Sequence, residues 1–264
     1  MRGFLSRNRL PLLAFFAALA VYLATAGPRL RKQSSDPHYV AQAMAWLDGR
    51  TDIEAWPAGA DDPAKVEEVK LDDGSVVRGR RIASRGVFRA FGGREIPQAR
   101  VTSTLRTIHY VSFPPLPSVI LLPQAMLFGW RVNDVGTTAF LAALVPALLL
   151  VVLRRLREAG LSRRTEREDL WLAGLLAFGS VFYFCAVQGR VWFTAHVVGV
   201  LFAAAYAWAA IGAARPLLAG LFLGLAFLAR TPMLFLFPLF VLEAWRVDRA
   251  TFVKRFTAFA APIL

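Results

Sequence analysis

Two apolar stretches, residues 10–27 and 137–153, bracket a long polar segment, and this bracketing limits the folds open to the chain. The polar island opens with Ser35-Asp36-Pro37-His38-Tyr39 and closes with Phe113-Pro114-Pro115-Leu116-Pro117. Further apolar runs follow at 170–188, 191–212, 217–228 and 233–245. A helix needs about 20 apolar residues to cross a bilayer core, and several runs approach that length. Hydrophobic residues make up 56% of the chain, against ~45–50% in soluble domains. The expectation is an integral membrane protein whose spans hold the island against one face of the bilayer, with any chemistry at that seam.

Charge sets the expected topology. Arg2, Arg7 and Arg9 precede the first apolar run, and Arg154, Arg155, Arg157, Arg163, Arg164 and Arg167 follow the second. Basic loops stay on the cytoplasmic side, so an even number of crossings separates the two clusters. Residues 10–27 and 137–153 then cross. The proline-broken stretch 114–130 does not, and reads as an interfacial or re-entrant helix outside. The four later runs bring the chain back to Arg246, Arg249, Lys254 and Arg255, a second basic cluster where the rule wants one. The fold class expected is an all-α polytopic membrane protein of about six transmembrane helices with a small α+β extracytoplasmic loop domain. Its parts are an anchor (1–27), the loop domain with juxtamembrane helices (28–136) and a helical bundle (137–264). Residues 256–264 read like the start of a further span, so the bundle is expected to be truncated. Ala24-Thr25-Ala26 leaves a cleaved signal peptide as the alternative to an anchor.

Within the island, Asp36-Pro37 reads as a helix cap and first turn. Tyr39, Val40, Ala43, Met44 and Leu47 follow at helical spacing, and Gly49 ends the helix. This is the pattern of a short amphipathic helix on the membrane surface. Residues 51–63 read as loop. Asp72-Asp73-Gly74 between 65–71 and 75–81 predicts a hairpin, and 86–91 and 101–113 add two strands, giving a small meander.

Several functions are excluded. The net charge of +13 is not a nucleic-acid signal, because residues 28–117 contribute only +3, fourteen Lys/Arg against eleven Asp/Glu. The rest follows the positive-inside pattern. Cys185 is the only cysteine, so neither an internal disulfide nor a cysteine metal cluster exists. No phosphate-binding glycine loop, nucleophile elbow or zinc-protease motif occurs.

The expected outer rim gathers Asp36, His38, Tyr39, Arg106, His109, Tyr110, Gln188, Arg190, Trp192, His196 and Arg230. Tyrosine and tryptophan also fit an interfacial belt, and Asp36 a plain helix cap. Arg190, in a short turn, and Arg230, in an apolar hairpin, carry more weight. A central arginine costs roughly 2.5–3.5 kcal/mol to insert and usually faces a cavity or partner. The competing explanation is snorkelling to the interface. Phosphate is the natural guest for a guanidinium fork. His196 lies one turn from Trp192, on one helix face.

Three stretches together resemble the N-terminal half of a GT-C-fold glycosyltransferase, in the group of protein mannosyltransferases and the aminoarabinose transferase of lipid A. They are Asp36-Pro37-His38-Tyr39 after the first span, Phe113-Pro114-Pro115-Leu116-Pro117 with Leu127-Phe128-Gly129, and the glycine-bearing run 220–232 ending in Arg230-Thr231-Pro232. The resemblance implies transfer of a sugar from a polyprenyl-phosphate donor to an acceptor outside the cytoplasm, at a bacterial inner membrane. It gives Asp36 the place of general base or cation ligand, so a divalent cation is the cofactor it allows. It gives Arg230, with Arg190, the lipid phosphate; His38, Tyr39 and His196 join as substrate-binding residues. The partners implied are a polyprenyl-phosphate-linked sugar and membrane lipid, not nucleic acid. Two rivals stand beside it. One is a non-catalytic membrane module binding a lipid-linked sugar or a partner chain. The other is a transporter, which should show internal repeats and mid-span polar breaks.

Overall fold

The computed structural model describes residues 8–53, 56 and 64–263. Arg2 and Arg7, most of the 51–63 loop and Leu264 lie outside the described residues.

Three helices are long and apolar enough to cross a membrane. They are built on α1 (Arg9–Ala26), α4 (Asp134–Glu158) and α7 (Val191–Ala210). The other runs expected to span form shorter pieces. Residues 170–188 break at Gly179-Ser180 into α5 (Glu166–Phe178) and α6 (Val181–Ala186), where the Ser180 hydroxyl accepts from the Phe182 amide and caps a new helix. Residues 217–228 become α8 (Pro216–Ala229), with proline at its first turn. The run 233–245 is interrupted by Pro238, which leaves a 3-10 turn (Thr231–Leu236) before α9 (Pro238–Val247). In place of six long spans, the described residues hold three helices of bilayer length, and the other three runs form the shorter helices α5, α6, α8 and α9.

Hydrogen bonds fix the direction of each helix. Ser34, just past α1, donates through its amide and hydroxyl to Asp134 at the start of α4. Asp36 pairs with Arg190 at the start of α7. At the opposite end, Arg154 donates to Asn8 and Arg155 donates to the Ile211 carbonyl. So α4 and α7 run parallel, α1 antiparallel to both, and one end meets the island while the other is rich in arginine. Alanines at the seams (Ala18, Ala139, Ala142, Ala143, Ala177, Ala186) let the helices approach closely. The buried hydroxyls of Thr138 and Thr194 bond across α4 and α7 at 2.7 Å. The chain end, expected to open another span, forms α10 (Phe252–Ala260) against α8. A Cβ on Gly220 would lie 1.9 Å from the Phe259 carbonyl oxygen, so that crossing requires glycine.

The island holds α2 (His38–Leu47), α3 (Leu116–Phe128) and a five-stranded antiparallel sheet of order β4-β3-β2-β1-β5. The expected hairpin is present: β1 (Ala64–Leu71) pairs with β2 (Val76–Ile82), Lys70 opposite Val76. The strand β3 (Val87–Ala90) meets a short β4 (Glu95–Pro97) that the sequence pattern does not mark. β5 (Val101–Tyr110) returns beside β1 instead of extending the meander. Only a 3-10 turn (Gln98–Arg100) joins β4 at one edge to β5 at the other. Four strand spacings of about 4.8 Å exceed its reach, so the sheet curls. Val69, Leu71, Phe88 and Ile96 fill the inside of the curl.

Two island expectations are corrected. Asp36 is not the helix cap: α2 begins at His38 with Pro37 at the cap position, and the Asp36 carboxylate turns to Arg190. A charged partner outweighs a cap that leaves the carboxylate facing neutral amides. Nor does α2 lie on a surface. His38, Tyr39, Val40, Ala41, Ala43 and Ala45 are all buried, because one side packs on α3 and α7 and the other on the Ile53 edge of the sheet. α3 has 13 residues with Pro123 inside it and is not one of the three helices of bilayer length.

Candidate functional site

The start of α7 is where island and bundle meet. Gly189 turns the chain with φ +68°. A Cβ there would lie 2.6 Å from the Val135 Cα, so the close approach to α4 and the left-handed backbone both demand glycine. Gly189→Ala is expected to cost about 2–4 kcal/mol, read as a lowered unfolding midpoint in detergent; an unchanged midpoint would mean the turn relaxes freely.

That turn delivers Arg190 to Asp36. The guanidinium Nε donates to Asp36 Oδ2, the Ser35 hydroxyl donates to the same oxygen at 2.7 Å, and the Val191 amide donates to the Asp36 carbonyl at 3.2 Å. The Asp36 side chain is 2% exposed and that of Arg190 39%. Arg190 also lies 5.3 Å from the Trp192 ring centroid. On its open side a cavity of about 440 Å³ is lined by Arg29, Lys32, Gln33, Ser34, Gln188 and Arg190.

His38 follows Asp36 into the interior. It is fully buried, its ring 4.7 Å from Trp56, 6.0 Å from Phe113 and 6.4 Å from Trp192. This is an aromatic clamp holding α2 to α7. Tyr39 is 2% exposed, and its buried hydroxyl has no hydrogen-bond partner among the described residues. Burial pushes the Tyr39 phenol above its ordinary range, and the nearby Arg230 charge pulls the other way.

Arg230 ends α8 and stands against α7: a Cβ on Gly199 would lie 3.3 Å from Arg230 Cγ. Gly199 makes room for the arginine stem. Gly199 is nine residues past Arg190, about 13 Å along the helix, so the hairpin tip meets α7 well below Arg190, and beside it Ala229 clusters with Val198 and with Leu116 at the start of α3. No ion pair or side-chain hydrogen bond to Arg230 is found among the described residues, and it is half-buried. Trp192, His196 and Gly199 lie on one face of α7, and His196 is half-buried there.

The structure thus joins Asp36 to Arg190 and brings Tyr39 near Arg230, with Trp192 and His196 along the helix between them. It does not bring Arg190 and Arg230 together. Arg106, His109 and Tyr110 lie on β5; Arg106 pairs with Asp52, while His109 pairs with Ile53 through the backbone and its ring lies 5.7 Å from Trp56, which joins it to the aromatic cluster around His38. Sequence reasoning missed the cavity wall of Lys32, Gln33 and Ser34. The run of Arg29, Arg31 and Lys32 just past the first apolar stretch, against the expected positive-inside pattern, was the available signal.

A divalent cation does not fit at Asp36. A guanidinium already occupies the carboxylate, and no group of three metal-binding side chains occurs among the described residues. No protein-family model, curated protein or solved structure matches the chain.

Proposed function

We propose that the protein is a membrane glycosyltransferase that moves a sugar from a polyprenyl-phosphate donor to an acceptor outside the cytoplasm. One observation carries this reading: the buried Tyr39 hydroxyl has no hydrogen-bond partner among the described residues, and the half-buried Arg230, which has no ion pair among them, is close enough for its charge to act on that phenol. A buried donor left unmade costs about 1–3 kcal/mol, and an anion arriving from the lipid side satisfies both. The polyprenyl phosphate binds there, its chain among the exposed apolar side chains of the short helices and its sugar directed along Trp192 and His196 toward Asp36. Asp36 exchanges Arg190 for the acceptor hydroxyl and takes its proton as the acceptor oxygen bonds to the sugar carbon. The bond from that carbon to the phosphate oxygen breaks, and Arg230 stabilises the charge left on the lipid phosphate. Arg190 positions the carboxylate between turnovers. The finding that unpaired donors cluster, rather than repeats flanking a mid-span path, favours this over a transporter. Measuring transfer by wild type and Asp36→Asn separates it from a binding module.

The reading includes six crossings, with the island outside and the arginine-rich end in the cytoplasm. It is supported by the opposed ends of α4 and α7, since the chain between them has to travel back through α5 and α6. Single cysteines at Ser75 and Ser162, in a Cys185→Ala background, are expected to react with an impermeant thiol reagent from opposite sides. Labelling from one side rejects this arrangement.

A further inference from the structure

At the arginine-rich end, a cavity of about 300 Å³ opens between the N-terminus of α1, the C-termini of α4 and α7 and the start of α8. Its wall holds Arg154, Arg155 and Arg215 against a single carboxylate, Glu158. Two of the guanidiniums share one indole: Arg215 lies 4.4 Å and Arg155 5.8 Å from the Trp208 ring centroid. Cation–π contact lowers the cost of each cation separately, but it does not offset the repulsion between two brought to the same ring. Arg155 spends Nε and Nη2 on the Ile211 carbonyl. The Nη1 of Arg215 is buried with no hydrogen-bond partner among the described residues. A solvated positive-inside loop would hold its arginines apart in water. Here they converge on a cavity beside an aromatic ring and leave a buried donor unused.

We infer that this cavity binds the phosphate of an anionic phospholipid headgroup. Phosphate oxygens suit guanidinium forks, and basic pockets between spanning helices are sites for anionic headgroups. The source is lipid because the cavity opens where three bilayer-length helices end. Val151 gives an apolar wall below the arginines, and Trp208 is a residue of the membrane interface. The inference rests on this cavity and not on the transferase reading; Arg230 and Asp36 belong to the other end.

The test uses the full chain in neutral detergent, with phosphatidylglycerol, phosphatidylcholine and inorganic phosphate as probes and the unfolding midpoint as readout. Phosphatidylglycerol is expected to raise the midpoint saturably, and phosphatidylcholine and inorganic phosphate to leave it unchanged. Arg215→Gln should weaken phosphatidylglycerol binding about tenfold, with Arg215→Lys between it and wild type. Trp208→Leu leaves all three arginines in place and should also weaken binding, a second reading if Arg215→Gln fails to fold. Equal response to both lipids, or wild-type affinity in the folded variants, overturns the inference. A response to inorganic phosphate equal to that of the lipid overturns the lipid source.

Discussion

Asp36→Asn is expected to lower sugar transfer by roughly 10²–10⁴-fold, the usual worth of a general base, and to cost only about 1 kcal/mol of stability. Arg190→Ala is expected to be the more destabilising change, by about 2–3 kcal/mol. The asymmetry follows from burial. Asp36 is 2% exposed, so removing Arg190 leaves a carboxylate away from water with only the Ser35 hydroxyl on Oδ2. Breaking a buried pair this way typically costs ~3–5 kcal/mol, and the partial exposure of Arg190 lowers the figure. Removing the carboxylate instead leaves an arginine that is 39% exposed and rests on Trp192. The double variant should recover much of the stability lost in Arg190→Ala. Thermal unfolding of the four proteins in one detergent measures the coupling; additive losses would show that the pair contributes nothing beyond its separate members.

Arg230→Ala is expected to weaken binding of a polyprenyl phosphate by roughly 10–100-fold, the loss of about 1.5–3 kcal/mol in charge-assisted hydrogen bonds. Arg230→Lys keeps the charge and loses the two-pronged geometry, so it should fall between. Snorkelling predicts no such order, because lysine reaches the interface as well as arginine does. Tyr39→Phe removes the second unpartnered donor and should weaken binding by a smaller step, without destabilising the fold, since the hydroxyl has no bond to lose among the described residues. Binding measured on purified protein with a short-chain lipid decides between the two explanations.

Much of the architecture was legible in local pattern. The hairpin at Asp72-Asp73-Gly74 forms as its turn residues require, and Gly49, at φ +70°, ends α2. α3 begins directly after Pro114-Pro115, at the prolines that open its stretch. What escaped was tertiary. The return of β5 to β1 depends on the curl of the sheet, which no window of residues reports. The split at Gly179-Ser180 is a helix break inside a run of uniform hydropathy. At the candidate site, sequence alone singled out Asp36, Tyr39, Arg190 and Arg230, but not who meets whom. Asp36 looked like a cap because its real partner lies 154 residues away. Arg190 and Arg230 looked like a pair because both are arginines near span ends; the helical rise between Arg190 and Gly199 separates them. His38 sits in polar sequence, yet three aromatic rings enclose it.

The central claim is that the protein breaks the bond between a sugar and a polyprenyl phosphate. The direct measurement is release of polyprenyl phosphate from a polyprenyl-phosphate-linked sugar by the protein in liposomes, in the presence of membrane acceptors. Release by wild type, its loss in Asp36→Asn with donor binding intact, and weakened donor binding in Arg230→Ala are the predicted results. Donor binding that depends on Arg230 with no release by wild type would contradict the claim and make the protein a lipid-phosphate binding module.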